Sequence, residues 1–400
     1  ADVATDAAGN GNTAAATLSR TYDSVKPTLV LSTTAADPTN LSPFTVTATF
    51  SEDVTDFALG DIIVTNGVAG SLAGGPSIYT FSVTPSAQGL VSINVAADVA
   101  TDAAGNGNTA AATLSRTYDS VKPTLVLSTT AADPTNVSPF TVTATFSKPV
   151  TGFALGDISM TNGAASALSG GPSIYTFSVT PTSDGLVSID VGADVATDSV
   201  GNGNTAAATL SRTYDGTDPT LVLSTTVTDP TNVSPFTVTA TFSEDVSGFA
   251  LGDIIVTNGI AGSLAGGPSV YTFSVTPSSN DLVTVDVGAD AATDAAGNGS
   301  TADSISRTYD SVQPTLVLST SAADPTNLSP FTVTATFSKS VSGFALGDII
   351  VTNGVASALS GGPSVYTFSV TPSSDGLVSI DVGADVATDS VGNGNTAAAT

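Results

Sequence analysis

Residues 42–50 read SPFTVTATF, and their alternation decides the class of structure. Phe44, Val46, Ala48 and Phe50 share one parity while Thr45, Thr47 and Thr49 share the other, the pattern of a β-strand with one face in a core and one in water. The same period runs through Tyr79, Phe81 and Val83 and through Val91, Ile93 and Val95, which read as core-facing rows of two further strands. Residues 27–34, 42–50, 57–65, 77–84, 90–95 and 109–118, separated by Gly and Pro clusters, supply about six or seven short strands. That is the count of an immunoglobulin-like sandwich. Phe57 and Leu59 share a parity that Ile62 and Val64 do not, so residues 59–61 are read as a bulge or short turn that resets the phase.

This block recurs. A D-x-x-G-N signature opens at Asp6, Asp102, Asp198, Asp294 and Asp389, a step of 96 residues shortened to 95 at the last interval. A T-Y-D ending at Asp23, Asp119, Asp215 and Asp310 keeps the same step and marks the seams. The fold class predicted is all-β: tandem immunoglobulin-like sandwich modules of about 96 residues forming an elongated rod. Modules run 24–119, 120–215, 216–310 and 311–400, the fourth with its last strand truncated, after residues 1–23 as the end of a preceding module. Ninety-six residues are enough for an independent core, unlike the units of a solenoid. ADVATDAAGNGNTAAAT at the start matches ADVATDSVGNGNTAAAT at the finish, so the natural protein is expected to be longer. The copies also check one another: Ile63 is Ser159 in the second module, so this position faces outward, and Met160 replaces Val64 in the core.

Eight Lys and Arg stand against 35 Asp and Glu, a net charge of −27 that repels nucleic acid and anionic membrane alike and favours cations. No apolar run approaches the roughly 20 residues of a membrane helix, so no insertion is expected in this segment. With neither Cys nor His, disulfides, thiolate metal sites and His-based catalysis are excluded. The acid is nearly all Asp, which suits turns and hard-cation loops; Glu52 and Glu244 are the only glutamates.

The ordered set P-T-hydrophobic, TFS..V..F.L.DI.V.NG, YTF.VTP, G.V..DV and ATD.AGN resembles the bacterial Ig-like repeats of large cell-surface adhesins of the RTX type, in every module. The resemblance implies an extracellular, surface-anchored stalk, often with calcium at module junctions. Calcium repeats of the G-G-x-G-x-D type are absent, so the likeness is to the stalk portion.

In an Ig-like topology the B–C and F–G loops share the pole at which a module's own N-terminus enters, and the A–B and E–F loops share the other. For module two this N-terminal pole collects Asp119, Asp157, Asp194, Asp198 and Asn202, with Asp37 of module one offered from above. Calcium takes six to eight oxygen ligands, and carboxylates this close repel unless neutralised. The candidate ligands at successive seams are Asp23, Asp61, Asp102 and Asn106; Asp119, Asp157, Asp198 and Asn202; Asp215, Asp253, Asp294 and Asn298; and Asp310, Asp348, Asp389 and Asn393. One or more calcium ions per junction would stiffen the linker. The other reading stays open, since D-x-x-G-N is also a tight turn with Asp capping the backbone. For Asp37, Asp133, Asp229 and Asp324 the D-P-T turn is favoured.

Glu52-Asp53 becomes Lys148-Pro149, returns as Glu244-Asp245 and becomes Lys339-Ser340, a swap that a ligand needed at every seam would not tolerate. GNGN lacks the Lys and helix of a phosphate loop and reads as a hairpin end. Asn40, Asn136, Asn232, Asn298 and Asn327 open N-x-S sequons that read as ordinary loop asparagines. No catalytic residue is singled out, and an enzyme is not expected.

Two functional classes remain. The first is a structural extender, each module roughly 35 to 45 Å long, that projects a tip for cell adhesion or biofilm formation, its partners being neighbouring modules of the same chain. The alternative is a module whose repeated surface, including the Thr45, Thr47 and Thr49 row, binds carbohydrate or ice or assembles with sister chains into a filament or layer.

Overall fold

The computed structural model describes residues 4–398. In module one the strands are β1 (Leu29–Ser32), β2 (Phe44–Phe50), β3 (Ile62–Thr65), β4 (Gly67–Gly74), β5 (Ile78–Pro85), β6 (Gly89–Val95) and β7 (Leu114–Tyr118). They form two antiparallel sheets, one in the order β1-β2-β5-β4 and one in the order β3-β6-β7. This is the seven-strand immunoglobulin-like sandwich. The four-stranded sheet recurs in all four modules, and the three-stranded sheet recurs whole in modules two and three and as a strand pair in module four.

The alternating rows lie where their parity puts them. Val46, Ala48, Phe81, Val83, Val91 and Ile93 are fully buried, and Ile63 is exposed. Ala48 faces Tyr79 and Val46 faces Phe81 across β2 and β5, so the register brings both apolar rows to one face. Burial of a ring such as Phe81 contributes about 2–3 kcal/mol, and the copies Phe177, Phe273 and Phe368 repeat it. Met160 is half-buried in its strand, opposite Ile189.

The expected phase reset takes a specific form, and one further strand joins the set. The phase reset at residues 59–61 is a 3-10 turn, Leu59–Asp61, in which Asp61 Oδ2 accepts the Ala58 N–H at 2.8 Å. Strand β4, GVAGSLAG, was not anticipated because it has neither a β-branched row nor strict alternation. It is an edge strand whose register follows from pairing with β5, and a bulge between Gly70 and Ala73 interrupts that edge. The last strand of modules one and two is also shorter than residues 109–118 and their copies, running Leu114–Tyr118 and Leu210–Tyr214.

The chain divides into two compact units. One comprises the chain up to Thr130 with Pro139–Thr180 and Val187–Ser211; the other comprises Ala131–Ser138, Pro181–Leu186 and the chain from Arg212 onward. No helix among the described residues is long and apolar enough to cross a membrane.

Candidate cation site at the module seams

Each seam turns on the aspartate that closes T-Y-D. The Asp119 N–H donates to Thr39 O of module one at 3.0 Å, and its carbonyl accepts Asn202 Nδ2 of module two at 3.0 Å. Asp215 repeats this with Thr135 O and Asn298 Nδ2, and Asp310 with Thr231 O and Asn393 Nδ2. One residue is thus bonded to the end of one module and the start of the next. A side-chain contact spans the same gap, with Asn40 Nδ2 donating to Asn202 Oδ1 at 3.4 Å and Asn232 Nδ2 to Asn393 Oδ1 at 3.2 Å.

The D-x-x-G-N loop folds as a capped turn. Asp102 Oδ1 accepts the N–H groups of Ala104 and Asn106, both at 2.8 Å, and Oδ2 accepts Asn106 Nδ2 at 2.8 Å. Gly105 sits at φ +91°, where a side chain would be strained. These hydrogen bonds, led by that of the Asn106 side chain, hold the Asp102 carboxyl below its ordinary pKa. The loop needs little around it, since Asp6 makes the same three bonds in an exposed segment. Behind the turn lies Asn108, fully buried, which the GNGN reading did not single out. Its Oδ1 accepts Val99 N–H and Ala100 N–H, and its Nδ2 donates to Ala96 O and Thr109 O, all at 2.8–2.9 Å.

What occupies the space beside Asp102 differs between modules. The B–C loop leaves at Phe50 and returns at Phe57, whose rings pack edge-on against Tyr79, and the Tyr79 hydroxyl donates to Val54 O at 3.3 Å. This anchoring is repeated by Phe146, Phe153 and Tyr175, so residues 52 and 148 are presented alike. In module two Lys148 Nζ lies 2.9 and 2.8 Å from the Asp119 oxygens, 2.5 Å from Val121 O and 3.1 Å from Asp198 Oδ2. In module four Lys339 makes the same set with Asp310, Val312 O and Asp389 at 2.5–3.0 Å. Burial alone would lower the Lys148 pKa, but the hydrogen bonds and charges of Asp119 and Asp198 outweigh it and raise it.

Modules one and three place a carboxylate there instead. Carboxylate oxygens of Asp23, Glu52 and Asp102 lie within 4.8 Å of one another, as do those of Asp215, Glu244 and Asp294. Burial, then repulsion from Asp102 and Asp23, raises the Glu52 pKa; burial, then Asp215, Asp294 and Asp184, raises that of Glu244. Asp23, Glu52 and Asp102, with Asp53 and Thr21, line an open cleft of about 450 Å³. An all-oxygen anionic set of this kind suits a hard cation such as calcium.

The other predicted positions fall elsewhere. Asp61, Asp157, Asp253 and Asp348 each cap their own 3-10 turn through Oδ2 at 2.7–2.8 Å, and none belongs to the two carboxylate groups. Asn106, Asn202, Asn298 and Asn393 adjoin the sites as the amides that hold Asp102, Asp198, Asp294 and Asp389. Asp194 pairs with Lys122 at 2.7 Å. Asp37, Asp133 and Asp229 accept the N–H groups of Thr117, Thr213 and Thr308 at 2.7–2.8 Å, tying the A–B loop to the last strand. On sequence alone, the lysine at the equivalent positions 148 and 339 argues against Glu52 and Glu244 as ligands. The signal was in that swap, which exchanges an anion for a cation at one point.

A sequence profile described as "Bacterial Ig-like domain" matches residues 23–118, 119–214, 215–311 and 310–400. No curated protein matches the chain. Among solved structures, invasin, described as a bacterial integrin-binding protein, is similar at 13% identity and a TM-score of 0.36, covering 90% of this chain and 76% of that one. InvD of Yersinia pseudotuberculosis is similar at 14% identity and a TM-score of 0.32, covering 71% and 98%. Domains 1–6 of the surface-layer protein SbsC are similar at 15% identity and a TM-score of 0.22, covering 94% and 55%.

Proposed function

Because the chain belongs to the bacterial Ig-like domain family, we propose that it is the structural extender of a bacterial cell-surface adhesin. It acts outside the cell, holding a tip away for cell adhesion or biofilm formation, with calcium at module seams restraining the joints. The observation that carries this reading is the bonding of Asp119, whose N–H belongs to module one and whose carbonyl and carboxylate belong to module two. A seam with no free linker residue at its centre transmits orientation, which an extender needs and a flexible tether does not. The function is mechanical, and no catalytic step is assigned to any residue.

Small-angle scattering of the 400-residue chain in calcium, then in excess chelator, tests it. The expected result is an extended particle, about 40 Å per module, whose profile broadens towards a flexible one on chelation. A compact particle would overturn the extender reading, and an extended one indifferent to chelator would remove calcium from it.

A further inference from the structure

We propose that the seams are of two kinds in alternation: modules one and three hold an exchangeable divalent cation on Asp23, Glu52 and Asp102 and on Asp215, Glu244 and Asp294, whereas modules two and four carry a lysine ammonium as a permanent cation in the same place. This deepens the calcium part of the extender reading and rests on it.

The three carboxylates alone would be only an acidic cluster. The independent observation comes from the sister modules, where the equivalent aspartates already ligate a cation. Asp119 and Asp198 stand 96 residues after Asp23 and Asp102, and Lys148 stands 96 residues after Glu52. The ammonium there is bound by both carboxylates and by the Val121 carbonyl, a purely oxygen environment. The linker has the same form in both cases, since Val25 N–H donates to Asp23 Oδ1 at 3.0 Å and Val121 N–H to Asp119 Oδ1 at 2.9 Å. The positive charge therefore has a defined position between the linker aspartate and the F–G aspartate.

Replacing Lys148 by Glu52 removes the ammonium and adds an anion to that position. The next residue changes in step, from Pro149 and Ser340 to Asp53 and Asp245, and Asp53 lines the cleft. The surroundings thus become more acidic where the built-in cation is absent. A hard divalent ion restores what lysine supplies, taking carboxylate oxygens and completing its shell with water. Calcium fits better than magnesium, which demands near-ideal octahedral geometry from its ligands. As a consequence, half the seams answer to external calcium and half do not.

The test is calorimetric titration of calcium chloride into the chelator-treated 400-residue chain, with magnesium chloride as comparison. The expected stoichiometry is two calcium ions, one for each carboxylate group. The Glu52→Lys, Glu244→Lys double variant should bind none at the seams. Lys148→Glu with Lys339→Glu should bind four, the original two plus one at each new carboxylate. Glu52→Gln with Glu244→Gln, folded by circular dichroism, should lose about tenfold or more in affinity and keeps the test decisive if a charge-reversed variant misfolds. Four equivalents in the unaltered chain, or two that ignore the Glu52 and Glu244 variants, overturn the alternation and leave calcium in the extender. No binding by the unaltered chain overturns both.

Discussion

Lys148 Nζ lies 3.1 Å from Asp198 Oδ2, while one module earlier Glu52 presents a carboxylate to the equivalent Asp102. The lysine is about three-quarters buried and the Asp198 side chain almost wholly so. Lys148 is therefore more than a surface partner: without it Asp119 and Asp198 face one another with no intervening positive charge. The combined Lys148→Met, Lys339→Met variant should lose about 1–2 kcal/mol in each affected module, the range of a charge-assisted bond discounted for solvent. Denaturant unfolding reads this as a lower midpoint with unchanged slope. An unchanged midpoint would show that the ammonium contributes nothing net.

The glutamates predict a pH dependence of the opposite sense to the aspartates. Glu52 and Glu244 have raised folded-state pKa values, so the folded chain binds more protons than the unfolded one between the ordinary and the raised value. Stability in that window falls as pH rises. Asp102, Asp198, Asp294 and Asp389 have lowered values, so their contribution is present at neutral pH and is lost as pH falls from the ordinary aspartate value through the lowered one. The calcium-free chain should be most heat-stable at acidic pH, between the ordinary aspartate and glutamate values of 3.8 and 4.5, and calcium should move that optimum towards neutrality. Melting curves from pH 3 to 8 with and without chelator check this; a chelated profile rising steadily to pH 8 would contradict it.

The strands were legible wherever burial writes itself as alternation. Phe44 to Phe50 and Val91 to Val95 could be placed by parity alone because each has one face in the core. Gly67–Gly74 could not, since its register is imposed by β5 and its own residues carry almost no pattern. At the seams the aspartates were legible as turn residues and candidate ligands, but the Lys148 substitution argued against a ligand at position 52. Sequence shows a charge reversal there; only the backbone shows that both side chains reach the same point. Asn108 was hidden for a related reason, as its four bonds go to residues before and after it in a loop of irregular geometry.

Asn108 yields the sharpest stability prediction. Asn108→Ala would strip partners from two N–H groups and two carbonyls around a fully buried site, so a loss of about 2–4 kcal/mol in module one is expected. Module three provides the reverse experiment. Ser300 stands at the equivalent position and satisfies only Ala292 N–H among these groups, at 3.2 Å. Ser300→Asn should stabilise module three by about 1 kcal/mol, since the flanking Ala292 and Thr301 match Ala100 and Thr109. Amide exchange at Val99 and Ala100, and at Ala291 and Ala292, reports the two changes separately. Faster exchange after Ser300→Asn would show that the module-three loop has a packing of its own.

The asparagines that cross the seams separate stiffness from stability. Asn40 and Asn232 reach Asn202 and Asn393 at 3.4 and 3.2 Å but touch no core residue through those bonds. Asn40→Ala with Asn232→Ala should therefore leave unfolding within about 0.5 kcal/mol of the unaltered chain, as for a substitution outside the packed interior. The bonds from Asp119 and Asp310 to both flanking modules remain, so the joint persists with one restraint fewer. Flexibility should rise all the same, because each substitution removes one side-chain contact across its seam. Scattering profiles should broaden at unchanged melting temperature, and most in calcium, where the other restraints are in place. A fall in melting temperature with no broadening would place these asparagines with the folding of each module and leave resistance to bending with Asp119 and Asp310.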